Sequence, residues 1–272
     1  MSVVTISRGS YSKGKEIAEK LAQRLGYKCI SRDIIIEASK EFNIPEVKLI
    51  RALHDAPSVL ERFTYGKERY IAYIRYALLN HVRKDNVVYH GLAGHFFLQG
   101  IPHVVKVRII ANLEDRVKEE MKRANISADE ARKLLKKDDD ERRKWALALY
   151  GIDTNNSKLY DVVFHIDTLK VDDVVDLLEQ TVKRPCFQPT EESRKILENR
   201  YIEAKIVASL VDEYPHVTAT YNNGKAFISL KVHPCKEDEA RKKIEDILKR
   251  DDILKDINFE LFIKPLDMYI PD

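Results

Sequence analysis

The sequence predicts an α/β domain with a parallel sheet and flanking helices, followed by a small α+β domain. Four short runs rich in Val and Ile alternate with helical patterns over the first 182 residues. A polar loop containing glycine follows the first run directly. The pattern then changes after KRPCFQPT, a segment with two prolines and neither a helical nor a strand period.

The first part begins with a β-branched strand and a helix. Val3 to Ile6 is the strand, and KEIAEKLAQRLG repeats apolar residues at helical spacing until Gly26 ends the helix. Cys29 to Ile30 begins a second short element, which leads into IIIEASKEF. Residues 45 to 85 are predicted as helices, and Tyr70 to Val82 among them has the clearest apolar face.

Three further strands are predicted from NVVY, VVKVRIIA and YDVVFHID. A long charged helical region, Leu113 to Tyr150, lies between the last two, and a final helix covers Asp172 to Thr181. Since strands that alternate with helices of ten or more residues are typical of parallel sheets, residues 1–182 are predicted to form one α/β domain.

The second part has the order α-β-β-α-β. Glu191 to Asp212 is helical, and two alternating strands then flank an Asn-Asn-Gly turn. A helix from Glu237 to Lys249 and the strand NFELFI follow. We therefore divide the chain into residues 1–182, a linker at 183–190 and a small domain at 191–272.

Composition excludes several classes of protein. Lys and Arg total 47 against 44 Asp and Glu, a net charge of +3, so we expect no nucleic-acid partner. No apolar stretch approaches the roughly 18 residues of a membrane span, and the N-terminus lacks the pattern of a signal peptide. We therefore expect a cytoplasmic location. The three cysteines are widely separated and predicted to be reduced.

The loop after the first strand matches a phosphate-binding pattern. Gly9 to Lys15, GSYSKGK, fits the first seven positions of G-x-x-x-x-G-K-[ST], with Glu16 in place of Ser or Thr. Between a strand and a helix, loop amides and the helix N-terminus converge on a phosphate, and a lysine adds positive charge. The alternative is an ordinary polar loop. Glu16 departs from the pattern because a hydroxyl there normally binds Mg²⁺.

The run SRGSYSKGKEIAEKLAQRLGY resembles the opening of the cytidylate kinase-like proteins, a branch of the P-loop nucleoside monophosphate kinases. The resemblance continues through DNVVYHGLAGHFFL, the charged region from KVRIIANLEDR to ALALYG, and YDVVFHID. It implies a P-loop kinase-like sheet, a helical substrate-binding insertion near residues 36–85 and a helical lid near 125–152. The implied reaction transfers the γ-phosphoryl group of ATP, with Mg²⁺, to a nucleoside monophosphate, with CMP or dCMP expected.

The resemblance also implies roles for individual residues. The ATP-binding set comprises Gly9, Ser10, Ser12, Gly14, Lys15, Glu16, Arg116 and Arg123. Lys15 and the paired lid arginines Arg142 and Arg143 would be catalytic, and Arg32, Asp33 and His90 would bind the acceptor. Guanidinium groups suit this role because each bridges two phosphate oxygens. The alternatives are a solvated helix face for the arginines and a structural histidine at 90. His95 and His103 show no pattern and receive no role.

Two further positions depart from the family pattern. Leu92 stands where the family has the arginine that holds the acceptor phosphate, and Ser31 stands where it tends to have an acidic residue. Together with Glu16, these positions raise the alternative of a nucleotide-binding sensor or regulator that has lost catalysis. Residues 191–265 resemble a BON domain, with Gly224, Ala226 and Ile228 fitting its core pattern. That resemblance implies ligand binding or assembly into a homo-oligomer.

Overall fold

The computed structural model describes residues 2–10, 12–31, 33–46, 66–91, 93–253 and 258–264. A five-stranded parallel sheet forms the first part of the chain, with strand order β2-β3-β1-β4-β5. The strands are β1 (Val3–Arg8), β2 (Lys28–Ile30), β3 (Val87–His90), β4 (Val104–Ala111) and β5 (Val162–Ile166). This sheet confirms the predicted α/β class.

Helices cover both faces of the sheet. They are α1 (Gly14–Leu25), α2 (Asp33–Glu41), α3 (Gly66–Val82), α4 (Gly94–Phe97), α5 (Leu113–Ala124), α6 (Ala128–Tyr150) and α7 (Val171–Val182). On one face, Ile17 and Leu21 of α1 share a core with Val174 and Leu178 of α7. On the other face, α3 contributes Ile74 and several neighbours to a larger core. No helix within the described ranges is long and apolar enough to cross a membrane.

The strand register brings three strand ends to one edge. Ile6 of β1 pairs with His90 of β3, and Arg8 pairs with Ile109 of β4. Because parallel strands share a carboxyl edge, the loops that follow β1, β3 and β4 lie side by side. This edge carries the candidate site.

The charged region predicted from Leu113 to Tyr150 forms two helices. Asn125 has a positive φ of 53° and ends α5. Ser127 then caps α6, because its side chain accepts from the Glu130 backbone N–H and the Glu130 side chain returns to the Ser127 backbone. This capping box turns the chain so that α6 runs back over the sheet edge, where its middle residues lie against the loop after β1.

The C-terminal part has the predicted α-β-β-α-β order. Its elements are α8 (Glu191–Leu210), β6 (Thr218–Asn222), β7 (Lys225–Lys231), α9 (Glu237–Arg250) and β8 (Asn258–Lys264). β6 and β7 are antiparallel, and β7 pairs with β8 in parallel. Asn223 and Gly224 both have positive φ in the turn between β6 and β7, as the Asn-Gly signal predicts.

The two parts of the chain share one hydrophobic cluster. Helix α8 packs on α3, where the Tyr201 ring stacks on Tyr76 at a centroid distance of 5.7 Å and lies 4.0 Å from the Arg83 guanidinium carbon. Arg194 forms an ion pair with Asp85 at 2.6 Å. Within the segment 183–190, Phe187 accepts a hydrogen bond of 2.6 Å from Ser2 Oγ through its carbonyl. The division at 183–190 therefore remains a prediction, with α8 as a contact surface between the parts.

Candidate active site

A cleft of about 530 Å³ opens at the carboxyl edge of the parallel sheet. Five arginines line it, contributed by β1, β4, α5 and α6: Arg8, Arg108, Arg116, Arg142 and Arg143. Two lining carboxylates, Asp139 and Asp140, come from α6. The volume lies within the usual range for small-molecule sites, and the excess of guanidinium groups favours an anionic ligand with several phosphates.

The loop after β1 is tightly folded against the sheet. Ser12 Oγ donates to the Gly9 carbonyl at 3.0 Å, and Lys13 has a positive φ of 64° immediately before α1. A Cβ at Gly14 would lie 2.7 Å from Arg8 Cβ, so only glycine fits there without displacing the strand end. Helix α1 thus begins at the cleft edge, and its free N–H groups and dipole suit a phosphate.

Arg116 joins the loop to helix α6. It is 8% exposed, its guanidinium lies against Gly9, and its Nε donates to the Ser10 carbonyl at 2.7 Å. Its two terminal nitrogens donate to the two oxygens of Asp139 at 2.8 and 2.9 Å. Ser10 Oγ donates to Asp138 at 3.3 Å. Lid carboxylates therefore contact the groups that are predicted to bind phosphate.

The paired lid arginines occupy different environments. Arg142 donates from Nη1 to the Arg8 carbonyl at 3.4 Å, and burial lowers its pKa, opposed by Asp138 and Asp139. Arg143 is half exposed and donates to Asp153 at 2.8 Å. Both line the cleft, so the structure brings them to the phosphate loop across 130 residues of sequence.

Lys15 and Glu16 lie on the outside of α1. The Lys15 side chain is 64% exposed, and its Nζ lies 3.7 Å from Glu19. Glu16 is exposed and lies 3.6 Å from Lys20. Neither is among the described residues that line the cleft. The Lys15 charge nevertheless contributes to lowering the pKa of His90, so its effect extends to the end of β3.

The predicted acceptor-binding residues are only partly brought together. His90 lines the cleft at 6% exposure, and burial, followed by the Arg8 charge, lowers its pKa to about 4. Asp33 begins α2 and accepts from the Ser31 backbone at 3.4 Å, outside the cleft lining. Arg32 and Leu92 lie outside the described residues, as do residues 47–65 of the predicted insertion at 36–85.

Arg123 lies away from the cleft lining. Its Nε and Nη2 donate to the buried carboxylate of Glu120 at 3.0 and 2.7 Å, one turn earlier on α5. The structure therefore separates Arg123 from Arg116, although both follow the same strand. Arg116 and Arg123 are seven residues apart, which is nearly two turns of an ideal helix, so the spacing alone suggests that they share one face of α5. The spacing does not reveal that Arg123 pairs with a carboxylate one turn away instead.

Sequence reasoning missed two arginines of the cleft. Arg8 ends β1 and lies over Gly14, and Arg108 of β4 donates from Nη1 to Ser7 Oγ at 2.9 Å. Arg108 also lies 5.8 Å from the Tyr160 ring centre. A weak signal was present, because each is a charged residue within a strand that is otherwise largely buried.

His95 was also missed. It is 5% exposed in the short helix α4 and lines the cleft between the rings of Phe96 and Tyr160, at centroid distances of 4.0 and 5.1 Å. Neither ring nitrogen has a hydrogen-bond partner among the described residues. Its only sequence signal is a polar residue within the apolar run GHFFL.

Comparison with known proteins identifies the family. The model of the cytidylate kinase-like family matches residues 3–168. The chain belongs to this family. A cytidylate kinase from Sulfolobus acidocaldarius is 26% identical over 181 residues, which cover 66% of this chain and 93% of that protein. The match confirms the resemblance drawn from the loop, lid and strand motifs.

One solved structure shares the architecture of the parallel-sheet part. An uncharacterized protein from Eubacterium ventriosum has a TM-score of 0.52 at 18% identity, covering 68% of this chain and all of its own. A shikimate kinase from Bacteroides thetaiotaomicron has a TM-score of 0.42 at 13% identity, covering 67% of this chain and 99% of its own. The former likeness establishes the fold of the cytidylate kinase-like part. The BON resemblance stays a prediction.

Proposed function

We propose that this cytidylate kinase-like protein transfers the γ-phosphoryl group of Mg-ATP to a nucleoside monophosphate, with CMP or dCMP as the acceptor. The observation that carries the proposal is the convergence of five arginines on a glycine loop at one sheet edge. Donor and acceptor phosphates repel each other, and phosphoryl transfer depends chiefly on holding them in line and neutralising their charge.

The residues present fit a nucleotide polyphosphate. The glycine loop leaves room at Gly9 beside the Arg116 guanidinium, and α1 begins at the loop. Mg²⁺ would arrive on the nucleotide and keep most of its waters, as this ion usually does with one or two protein carboxylates. Asp140, which lines the cleft, is the candidate carboxylate. The described residues contain no preformed group of three metal-binding side chains, which agrees with a substrate-borne ion.

The test is an ADP-release assay with CMP, dCMP, UMP, AMP and GMP. We expect turnover, with a preference for cytidine nucleotides. Arg142→Ala should lower kcat/KM by about ten- to a hundredfold, because a charge-assisted contact contributes roughly 1.5 to 3 kcal/mol. Lys15→Ala tests the loop lysine, because a loss of most of the rate would show that this exposed side chain leaves Glu19 for the nucleotide phosphate.

Arg132→Ala is the matched control for the lid variant. Arg132 lies on the same helix α6, but it pairs with Glu114 and Asp129 outside the cleft lining. The Arg132→Ala variant should retain wild-type turnover. Absence of turnover with every acceptor, in folded protein that binds ATP, would contradict the proposed reaction.

A second candidate function is a nucleotide-binding sensor or regulator that has lost catalysis. The position of Lys15 beside Glu19 favours it, since the loop lysine of an active enzyme contacts phosphate. In this case the C-terminal domain would bind a ligand or form a homo-oligomer. Calorimetry with ATP and ADP separates the two functions, because tight binding without turnover supports the sensor.

A further inference from the structure

His95 is a buried polar side chain of the cleft that the proposed reaction leaves without a role. It follows β3 on the segment Gly91–Phe97, five residues after His90. Only 5% of it is exposed, and both ring nitrogens are without a hydrogen-bond partner among the described residues. Buried polar groups in folded proteins are nearly always paired, so a ligand is the natural partner at the wall of an open cleft.

The surroundings of His95 determine its charge. Burial, followed by the positive charge of Arg108, lowers the pKa of His95 to about 3. The imidazole is therefore neutral at physiological pH and presents one N–H donor and one nitrogen acceptor. A phosphate would instead favour the protonated ring and has the five arginines as better partners.

Two aromatic rings lie beside the imidazole. The ring centres of Phe96 and Tyr160 lie 4.0 and 5.1 Å from that of His95. Phe96 and Trp145, which is 3% exposed, also line the cleft. Aromatic side chains stack well on planar heterocycles, whose edges carry both donors and acceptors. The neutral imidazole and its neighbouring rings therefore suit a planar heterocycle, while the arginines of the loop and lid suit its phosphate.

We infer that His95 hydrogen-bonds the base of the acceptor nucleotide and sets specificity for it. The inference rests on the proposed function, because the acceptor is a nucleoside monophosphate only if that proposal holds. It adds a base-binding residue on the β3 segment, where His90 was predicted to bind the same acceptor. The phosphate contacts and the base contact would then come from different parts of one cleft.

The decisive variant is His95→Phe, which keeps a planar ring and removes both nitrogens. We expect its KM for CMP to rise about five- to a hundredfold, because a buried polar group of the base loses its partner. The KM for ATP and the kcat at saturating CMP should stay within about twofold. An unchanged KM for CMP, or an equal rise in the KM for ATP, would overturn the inference.

Ribose 5-phosphate separates a base contact from a sugar or phosphate contact. As a competitive inhibitor against CMP, it should have the same inhibition constant with wild type and His95→Phe, because it has no base. If ribose 5-phosphate instead bound His95→Phe as much more weakly as CMP does, His95 would contact the sugar or phosphate, and a base contact would be contradicted. His95→Gln and His95→Asn keep the test informative if the Phe variant does not fold. Both should bind CMP more weakly than wild type and keep the wild-type affinity for ATP, since a terminal amide replaces only one of the two ring nitrogens.

Direct binding distinguishes this inference from the proposed function. Calorimetry with CMP does not depend on turnover. If wild type neither binds nor phosphorylates any nucleoside monophosphate, the proposed function fails and the inference fails with it. If wild type binds CMP and all three His95 variants bind it equally well, only the inference fails.

Discussion

Arg116 lies where the loop after β1 and helix α6 meet, and its hydrogen bonds to Ser10 and Asp139 join the two. Its guanidinium covers Gly9 and makes two hydrogen bonds with Asp139. A nucleotide phosphate would approach the same guanidinium and would meet the Asp139 carboxylate. The lid carboxylate therefore competes with the phosphate for one cation.

This competition predicts the effect of Asp139→Asn on nucleotide binding. Neutralising the Asp139 carboxylate removes its repulsion of the ATP phosphates, which is worth about 1 kcal/mol at a partly exposed site. ATP should therefore bind about fivefold more tightly. Calorimetric titration with ATP measures the change. Asp129→Asn is the matched control, because it neutralises an exposed carboxylate of the same helix that pairs with Arg132 outside the cleft lining. Weaker ATP binding in Asp139→Asn alone would show that Asp139 instead orients Arg116 for the phosphate.

By sequence, helix α8 belongs to the C-terminal part of the chain. In the structure, the face of α8 that carries Tyr201 is buried against α3. Tyr201 is 9% exposed, stacks on Tyr76 and lies under the Arg83 guanidinium. At the other end of the contact, Asp212 accepts from Tyr73 Oη at 2.6 Å and pairs with Arg69. The helix thus acts as a shared element of both parts.

Tyr201→Ala should lower the free energy of unfolding by about 3 kcal/mol, because it removes a large aromatic side chain and leaves a cavity. Chemical denaturation monitored by circular dichroism measures this loss. Tyr201→Phe keeps the ring contacts and should cost about 1 kcal/mol or less. A loss below about 1 kcal/mol for Tyr201→Ala would mean that the contact between α3 and α8 contributes little to stability.

At the scale of the whole molecule, the shared cluster joins parts that the sequence separates. The segment 183–186 is exposed, whereas the helices on either side of it are packed into cores. A cut in this segment would break the chain without removing the contact between α3 and α8. The two fragments should therefore stay together.

A specific protease site inserted after Arg184, within the exposed segment 183–186, tests this prediction. After cleavage, both fragments should co-elute in size-exclusion chromatography under native conditions and separate in denaturant. The uncut protein provides the elution volume for comparison. A C-terminal fragment that elutes alone and keeps its secondary structure would instead show an independent domain after a true linker.

Local sequence patterns were sufficient for much of the fold. The helix of α1 follows from its apolar spacing and Gly26, whose φ of 67° only glycine adopts readily. The turn before β7 follows from Asn223 and Gly224. The tight loop after β1 could also be predicted, because Gly14 packs on Arg8 and the Gly9 carbonyl accepts from Ser12, all within one strand, loop and helix.

The rest of the site depends on residues that are distant in sequence. Arg8 and Arg108 become neighbours of Arg142 only because β1 and β4 pair in register and α6 folds back over them. His95 is a candidate ligand-binding residue because it is buried beside Tyr160, which lies 65 residues further along the chain. Periodicity does not encode such proximity, so a lone histidine or arginine gave no pattern to interpret.

Patterns within short stretches of sequence predict the order and type of the elements and the glycine loop, because these features depend on residues near one another in the chain. Motifs spread along the chain predict the family. Only the folded chain shows which charges share a cleft, where Lys15 and Arg123 lie, and how α8 joins the two parts. Those features depend on strand register and on the packing of side chains from separate elements. Register and packing are set by interactions across the whole fold, so no single segment of sequence encodes them.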